Sequence, residues 1–255
     1  MHAGAVRSAD YSAAVSTPTP DPLAELAAHV GVSSAMAAAR DAVDALLRDR
    51  GLRRSGPADT VEALLRGAAA NAALEGSTCT LADLRTGRSD PPAAAAMRVS
   101  AELVGLLPTW QHSPLQALAR LHSLAADTDD DSRGRPVSAD GAQRLRGVSQ
   151  LVLRGTAAPA MVLAAVVHAE VATGGAFGAR AGLVARAAER LVLIDTGVDP
   201  PSVTVPEAGH ARSAHAYAAG LAGYCDGGPV GVVGWLLAAA DAYSHGVECA
   251  SLRAG

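Results

Sequence analysis

The clearest local pattern in the chain is VVHAEVATGGAFGARAGLVAR, residues 166–186. Its first third continues an apolar run that starts at Met161 and is apolar around almost the whole helical circumference, which is typical of a helix at the centre of a core. Its middle, Thr173–Gly182, is rich in glycine, and its last third opens another helix that contains Arg186. The stretch predicts two buried helices joined by a glycine-rich connection.

The rest of the sequence predicts an all-α fold. Alanine dominates it, alanine is the best intrinsic helix former, and alternating β-branched runs are scarce. The spacing of apolar residues predicts helices over 22–28, from Ser34 to about 50, 57–74, 80–84, 91–107, 114–126, 138–153, 158–173, 181–195, about 208–224 and 229–246. We expect a disordered tail over 1–20, an N-terminal helical extension over 21–58 and a helical domain over 59–255.

Composition excludes several classes of function. The chain has 255 residues, a net charge of −4 and 3% aromatic residues, so neither a basic nucleic-acid face nor a base-stacking platform is expected. All 21 basic residues are arginines, which excludes a Schiff-base or P-loop lysine. Three cysteines without a C-x-x-C pair, no apolar leader and no membrane-length apolar run predict a cytoplasmic protein that binds no membrane.

Four side chains could form a metal site: His168, Glu170, Glu207 and His210. Histidine and carboxylate ligands at short spacing are common in such sites. However, residues two apart on a helix point away from each other, so His168 and Glu170 would not face one ion. We favour a core histidine at 168, bonded to a backbone carbonyl, and keep a metal site of His168, Glu170 and His210 as an alternative.

The glycine-rich loop also allows two interpretations. Successive backbone N–H groups beside a helix N-terminus can bind a phosphate. Glycine is equally suited to a tight turn between two packed helices. On the residues alone, the tight turn is favoured.

The stretch 166–186 resembles the core of the Fic (Fido-fold) family, whose members usually transfer AMP from ATP to a protein hydroxyl. The family pattern is a histidine near the end of a buried helix, followed seven residues later by H-P-F-x-(D/E)-G-N-G-R-x-x-R. A gapless overlay places the helix histidine on His168 and the motif phenylalanine on Phe177. The second motif glycine falls on Gly182 and the last arginine on Arg186.

Two further segments carry the same resemblance. Leu121–His122 and Gly134–Arg135 are similar to the segments on either side of the family's target-clamping flap. Residues 71–76, NAALEG, resemble the family's inhibitory helix, S/T-x-x-x-E-G/N, with Asn71 in place of serine or threonine. The likeness spans roughly residues 60–245 and implies a Fido-like helical bundle.

The overlay also shows what is missing from the motif. The family's catalytic histidine falls on Gly175, which has no proton acceptor, and its magnesium-binding acid falls on Ala179. Further motif positions are Arg180, Ala181 and Leu183. General base catalysis typically contributes about 10²- to 10⁴-fold, and the metal neutralises the phosphates. We therefore expect no AMP transfer by the usual mechanism.

The resemblance implies that Glu75 pairs with Arg186 and blocks the γ-phosphate position, and we expect a bidentate contact in the closed core. The alternative is a capping Glu75 and a solvated Arg186. A remnant pocket for ATP, another nucleotide or an anion would comprise Gly174, Gly175, Phe177, Gly178, Arg180, Gly182 and Arg186.

The hypothesis from sequence is a catalytically inactive Fic-like module that binds or regulates an unidentified protein partner. The alternative is a divergent nucleotidyl transferase in which His168, Glu170 or His210 accepts the proton. Trp235, Leu236, Leu237 and Tyr243 form either core or a homodimer patch, and core is favoured because large apolar residues usually face inward.

Overall fold

The computed structural model describes residues 21–48, 57–126 and 131–250, and these contain helices and no strand. The predicted tail over 1–20 lies outside the described residues. The helices are Pro22–Ala28 (α1), Val30–Arg48 (α2), Pro57–Leu74 (α3), Leu81–Arg85 (α4), Pro91–Glu102 (α5), Leu107–His112 (α6), Pro114–Ala125 (α7), Ala139–Arg154 (α8), Ala160–Thr173 (α9), Ala181–Asp195 (α10), Pro206–Ala211 (α11), Ala214–Cys225 (α12) and Pro229–Glu248 (α13).

Side-chain caps fix where several of these helices begin. Asp21 accepts hydrogen bonds from the backbone at the start of α1, Asp90 caps α5, and Ser138 caps α8. Thr80 and Asp83 form a capping box at α4. Each cap satisfies backbone N–H groups that have no partner within the helix, so the chain turns into each helix at a defined residue.

Helices α9 and α10 form the centre of the bundle and pack against each other. Ten of the fourteen residues of α9 are buried, and thirteen of the fifteen residues of α10 are. Helix α2 packs on α13, and α3 packs on both α5 and α11, so segments from both halves of the sequence surround the central pair. A polar group on the buried faces of α9 or α10 must therefore find its partner inside the protein.

The predicted positions of most helices are confirmed, and three predictions are wrong. Ser34 does not start a helix: α2 begins at Val30, and Ser34 donates to the carbonyl of Val30. The helix predicted over 91–107 ends at Glu102, and the chain continues through a short 3₁₀ turn into α6. The helix predicted near 208–224 is two helices, because α11 ends at Ala211 and the side chain of Ser213 caps the start of α12.

Trp235, Leu236 and Tyr243 are buried in the core, as favoured from sequence, while Leu237 is 39% exposed. Within residues 21–48, 57–126 and 131–250, no helix has both the length and the hydrophobicity of a membrane span.

Candidate functional site

The glycine-rich connection is a compact loop between α9 and α10. Gly175 and Gly178 have φ angles of +67° and +53°, a region that favours glycine. Residues Gly178–Arg180 form one 3₁₀ turn that leads into α10. The loop is fixed from the side of α8, because the amide of Val137 donates to the carbonyl of Ala176 at 2.9 Å. The glycines are thus needed for the turn itself.

The two segments that resemble the ends of the flap meet beneath this loop. The backbone amide of Gly134 donates to Nδ1 of His122 at 3.1 Å. The His122 ring lies 4.5 Å from the ring of Phe177, centroid to centroid, and both residues are buried. A cavity of about 280 Å³ opens beside them, lined mainly by apolar groups that include Leu115, Leu145 and Phe177.

Glu75 and Arg186 are in contact. Nη2 of Arg186 donates to Oε1 of Glu75 at 2.7 Å, and Nη1 of Arg180 lies 3.8 Å from Oε2 of the same carboxylate. The alternative of a solvated Arg186 is wrong, because Arg186 is only 1% exposed. One carboxylate therefore faces both arginines of the loop region.

The contact is not bidentate as expected. The guanidinium of Arg186 spreads its donors over three partners: Nε donates to Oδ1 of Asn71, Nη1 to the hydroxyl of Tyr217 and Nη2 to Glu75. Gly182 makes room for this arrangement, since a Cβ there would lie 3.1 Å from Nη1 of Arg186 and 3.3 Å from Oε1 of Glu75. A buried guanidinium needs such a set of acceptors, because an unpaired buried charge is costly.

His168 is a core residue, but its predicted bond to a backbone carbonyl is wrong. Its Nε2 lies 2.8 Å from the hydroxyl of Tyr217, and its Nδ1 lies 3.1 Å from Oε2 of Glu189. Despite this short distance, Nδ1 has no hydrogen-bond partner. His168 is fully buried, with Trp235 packed edge-on at 4.9 Å.

Glu189 lies at the centre of a second buried polar cluster. Its Oε2 is 3.0 Å from Nε2 of His210, and its Oε1 accepts from the hydroxyl of Tyr243 at 2.9 Å. Burial lowers the pKa of His168 to about 4, although the negative charge of Glu189 opposes this. Burial alone would raise the pKa of Glu189, but His168 and His210 outweigh it and hold that pKa below its ordinary range.

The other two acids considered from sequence lie elsewhere. Glu170 accepts from the hydroxyl of Tyr224 at 2.8 Å and lies 3.4 Å from Arg144, away from His168. Glu170 therefore does not lie with His168 and His210, as the alternative metal site would require. Glu207 accepts two hydrogen bonds of 2.9 Å from Nη1 of Arg190, so it serves a buried ion pair.

Glu189 is the residue that sequence reasoning missed. It lies on α10 between Arg186 and Arg190, and all three charged residues are at most 2% exposed. The available signal was charge at positions i, i+3 and i+4 of a helix that is otherwise apolar, since such residues share one face. Only the tertiary packing of α11 and α13 shows that His210 and Tyr243 reach this face.

Comparison with known proteins finds a likeness in structure alone. No protein-family model matches the chain, and no curated protein matches it by sequence. Its fold is similar to that of a Fic family protein from Desulfovibrio desulfuricans G20, whose crystal structure is known. The TM-score is 0.69 at 16% sequence identity, with 85% of this chain and 73% of that chain covered. The described helices therefore have the Fic (Fido) fold expected from residues 166–186.

Proposed function

We propose that this chain is a Fic-like binding or regulatory module that does not transfer AMP by the mechanism typical of the family. The observation that carries the proposal is the composition of the α9–α10 loop. From Gly174 to Ala179 it has no side chain that accepts a proton or binds a hard cation. A substitute base would have to come from outside the loop.

The side chains that could replace the base are badly placed for a target hydroxyl. His168 is fully buried, and His210 is 4% exposed and paired with Glu189. Glu170 is bound to Tyr224 and Arg144. These contacts argue against the alternative of a divergent nucleotidyl transferase that uses one of the three residues as its base.

Glu75 is the group that would control any remaining anion binding. Its carboxylate faces Arg186 and Arg180, the two cations nearest the loop. A phosphate can reach these guanidinium groups only when the carboxylate leaves, and the small residues Gly178 and Gly182 would then flank the anion. In this proposal the ligand is ATP, another nucleotide or an inorganic anion, and its binding changes the affinity for a cytoplasmic protein partner.

A label-transfer assay tests the loss of activity. The purified chain and its Glu75→Gly variant are incubated with labelled ATP, magnesium or manganese, and a cell extract. We expect no labelled protein in either case. Transfer that is lost on His168→Ala would overturn the proposal, since it would identify a working base outside the motif.

A thermal shift assay tests ligand binding. ATP, ADP and phosphate should stabilise Glu75→Gly more than the unaltered chain, and binding at 100 times Kd corresponds to about 2.7 kcal/mol. Glu102→Gly is the matched control, because Glu102 also lies at the end of a helix and faces an arginine, Arg120, on the surface. Equal shifts in the two variants would refute the role of Glu75, and the absence of any shift would refute nucleotide binding.

A further inference from the structure

We infer that His168, Glu189 and His210 form a binding site for a divalent transition metal, with zinc as the ion that fits best. One nitrogen of each histidine and one oxygen of the carboxylate lie within 4.8 Å of one another, in the buried space between α9, α10 and α11. Two imidazoles and a carboxylate are a donor set that zinc uses in proteins. The three ligands lie outside the α9–α10 loop, although Tyr217 contacts both His168 and Arg186, and the inference does not depend on the function proposed above.

The distances match the spacing of ligands around an ion. Oε2 of Glu189 is 3.1 Å from Nδ1 of His168 and 3.0 Å from Nε2 of His210. With metal–ligand bonds of about 2.0–2.1 Å, two ligand atoms of a tetrahedral site are about 3.3 Å apart. These two separations are close to this value, and the two histidine nitrogens lie within 4.8 Å of each other, so an ion would draw the three side chains together around it.

The buried, unpartnered Nδ1 of His168 is consistent with a metal ligand. Nδ1 is fully buried and has no hydrogen-bond partner, although Oε2 of Glu189 is 3.1 Å away. In a hydrogen bond the acceptor lies along the N–H direction, whereas in a metal site the ion lies there and the next ligand is displaced to the side. An ion in the plane of the ring would satisfy this otherwise unpaired nitrogen.

The surrounding residues prepare the three ligands. The hydroxyl of Tyr217 is 2.8 Å from Nε2 of His168 and can accept a hydrogen bond from a protonated Nε2. In that tautomer Nδ1 has a free lone pair for the metal ion. The hydroxyl of Tyr243 donates to Oε1 of Glu189 and leaves Oε2 facing the histidines. Such outer partners orient the ligands of metal sites.

One of the three ligands, His210, borders a cavity. This cavity of about 270 Å³ is also lined by Tyr217 and Trp235. This cavity is large enough for water, which would supply the fourth ligand of a tetrahedral ion.

The test uses the full chain, stripped with a chelator and then titrated with zinc or cobalt(II). We expect one tightly bound ion per chain, the visible spectrum of four-coordinate cobalt without thiolate bands, and a rise in the melting temperature. His210→Gln should abolish this binding, while His215→Gln should not alter it, because His215 is exposed on α12. Tyr243→Phe should lower the affinity about 10–100-fold, as expected for the loss of an outer partner.

Crystals of the unaltered chain grown with zinc provide a measurement that does not depend on a variant's folding. An anomalous peak bonded to His168, Glu189 and His210 would support the site. Absence of a peak there, absence of binding at one equivalent, or unchanged binding in folded His210→Gln would each overturn it.

Discussion

Two buried arginines of α10, Arg186 and Arg190, each pair with a glutamate from another segment, and the two pairs should differ in their contribution to stability. Arg190 is at most 2% exposed and all its donors have partners: Glu207 accepts twice, Ser202 accepts from Nε and Nη2, and the carbonyl of Thr204 accepts once. Arg186 is equally buried, but Glu75 accepts only one of its hydrogen bonds and is 10% exposed at its side chain. We expect removal of Glu207 to be the more damaging change.

The magnitudes follow from what each substitution leaves behind. Glu207→Ala strands a fully buried guanidinium, which costs about 3–5 kcal/mol. Glu75→Ala removes one charge-assisted hydrogen bond, worth about 1.5–3 kcal/mol, while Asn71 and Tyr217 still accept from Arg186 and water gains access to its free end. At a urea m-value of about 3 kcal/mol/M, the midpoints fall by about 1–1.7 M and about 0.5–1 M respectively.

Urea unfolding followed by far-ultraviolet circular dichroism measures both shifts, and unchanged m-values would show that only stability has changed. A midpoint for Glu75→Ala as low as that for Glu207→Ala, or lower, would refute the reasoning. It would mean that Glu75 is as necessary to the folded core as Glu207 and cannot leave Arg186 to admit an anion.

Gly209→Ala should destabilise the chain by about 1–3 kcal/mol, because a Cβ there would lie 2.1 Å from the carbonyl oxygen of Ala242 and the backbones of α11 and α13 would have to separate. Gly234→Ala, on an open face of α13, should instead stabilise the chain by about 0.5–1 kcal/mol. Thermal unfolding measures both variants, and a change in stability of the same sign for both would contradict this account of the packing. Tyr243→Phe leaves Oε1 of Glu189 without its donor and should lower the free energy of unfolding by about 1.5–3 kcal/mol. Chemical unfolding measures this change, and a value near zero would contradict the hydrogen bond.

Local sequence signals predicted most of the helices and the loop. Residues 161–167 are apolar around the whole helix, and this pattern correctly predicted a central helix. Prolines and capping residues marked the starts of several helices. The prediction of one helix over 91–107 misses the break after Glu102, because a proline can follow the end of a helix or occupy the first turn of the next one, and Pro108 does the latter. Ser213 carried a capping signal that the surrounding alanines obscured.

The polar clusters were less predictable, because their members are distant in the sequence. Glu75 was matched to Arg186 only through the family resemblance, and its single hydrogen bond depends on Asn71 and Tyr217 taking the other donors. His168 and His210 were both identified as candidates, but the acid between them comes from a third helix. Spacing along one helix cannot show which acid a neighbouring helix presents.

The charges of α10 have a consequence for how the chain assembles. Arg186, Glu189 and Arg190 receive their compensating groups from residue 75, from α11 at 207 and 210, and from α13 at 243. The helix cannot be sealed from water until all of these segments have docked, since an uncompensated ion in the interior is strongly unfavourable. Burial of the fifteen-residue helix α10 therefore depends on contacts with segments that span more than half of the polypeptide.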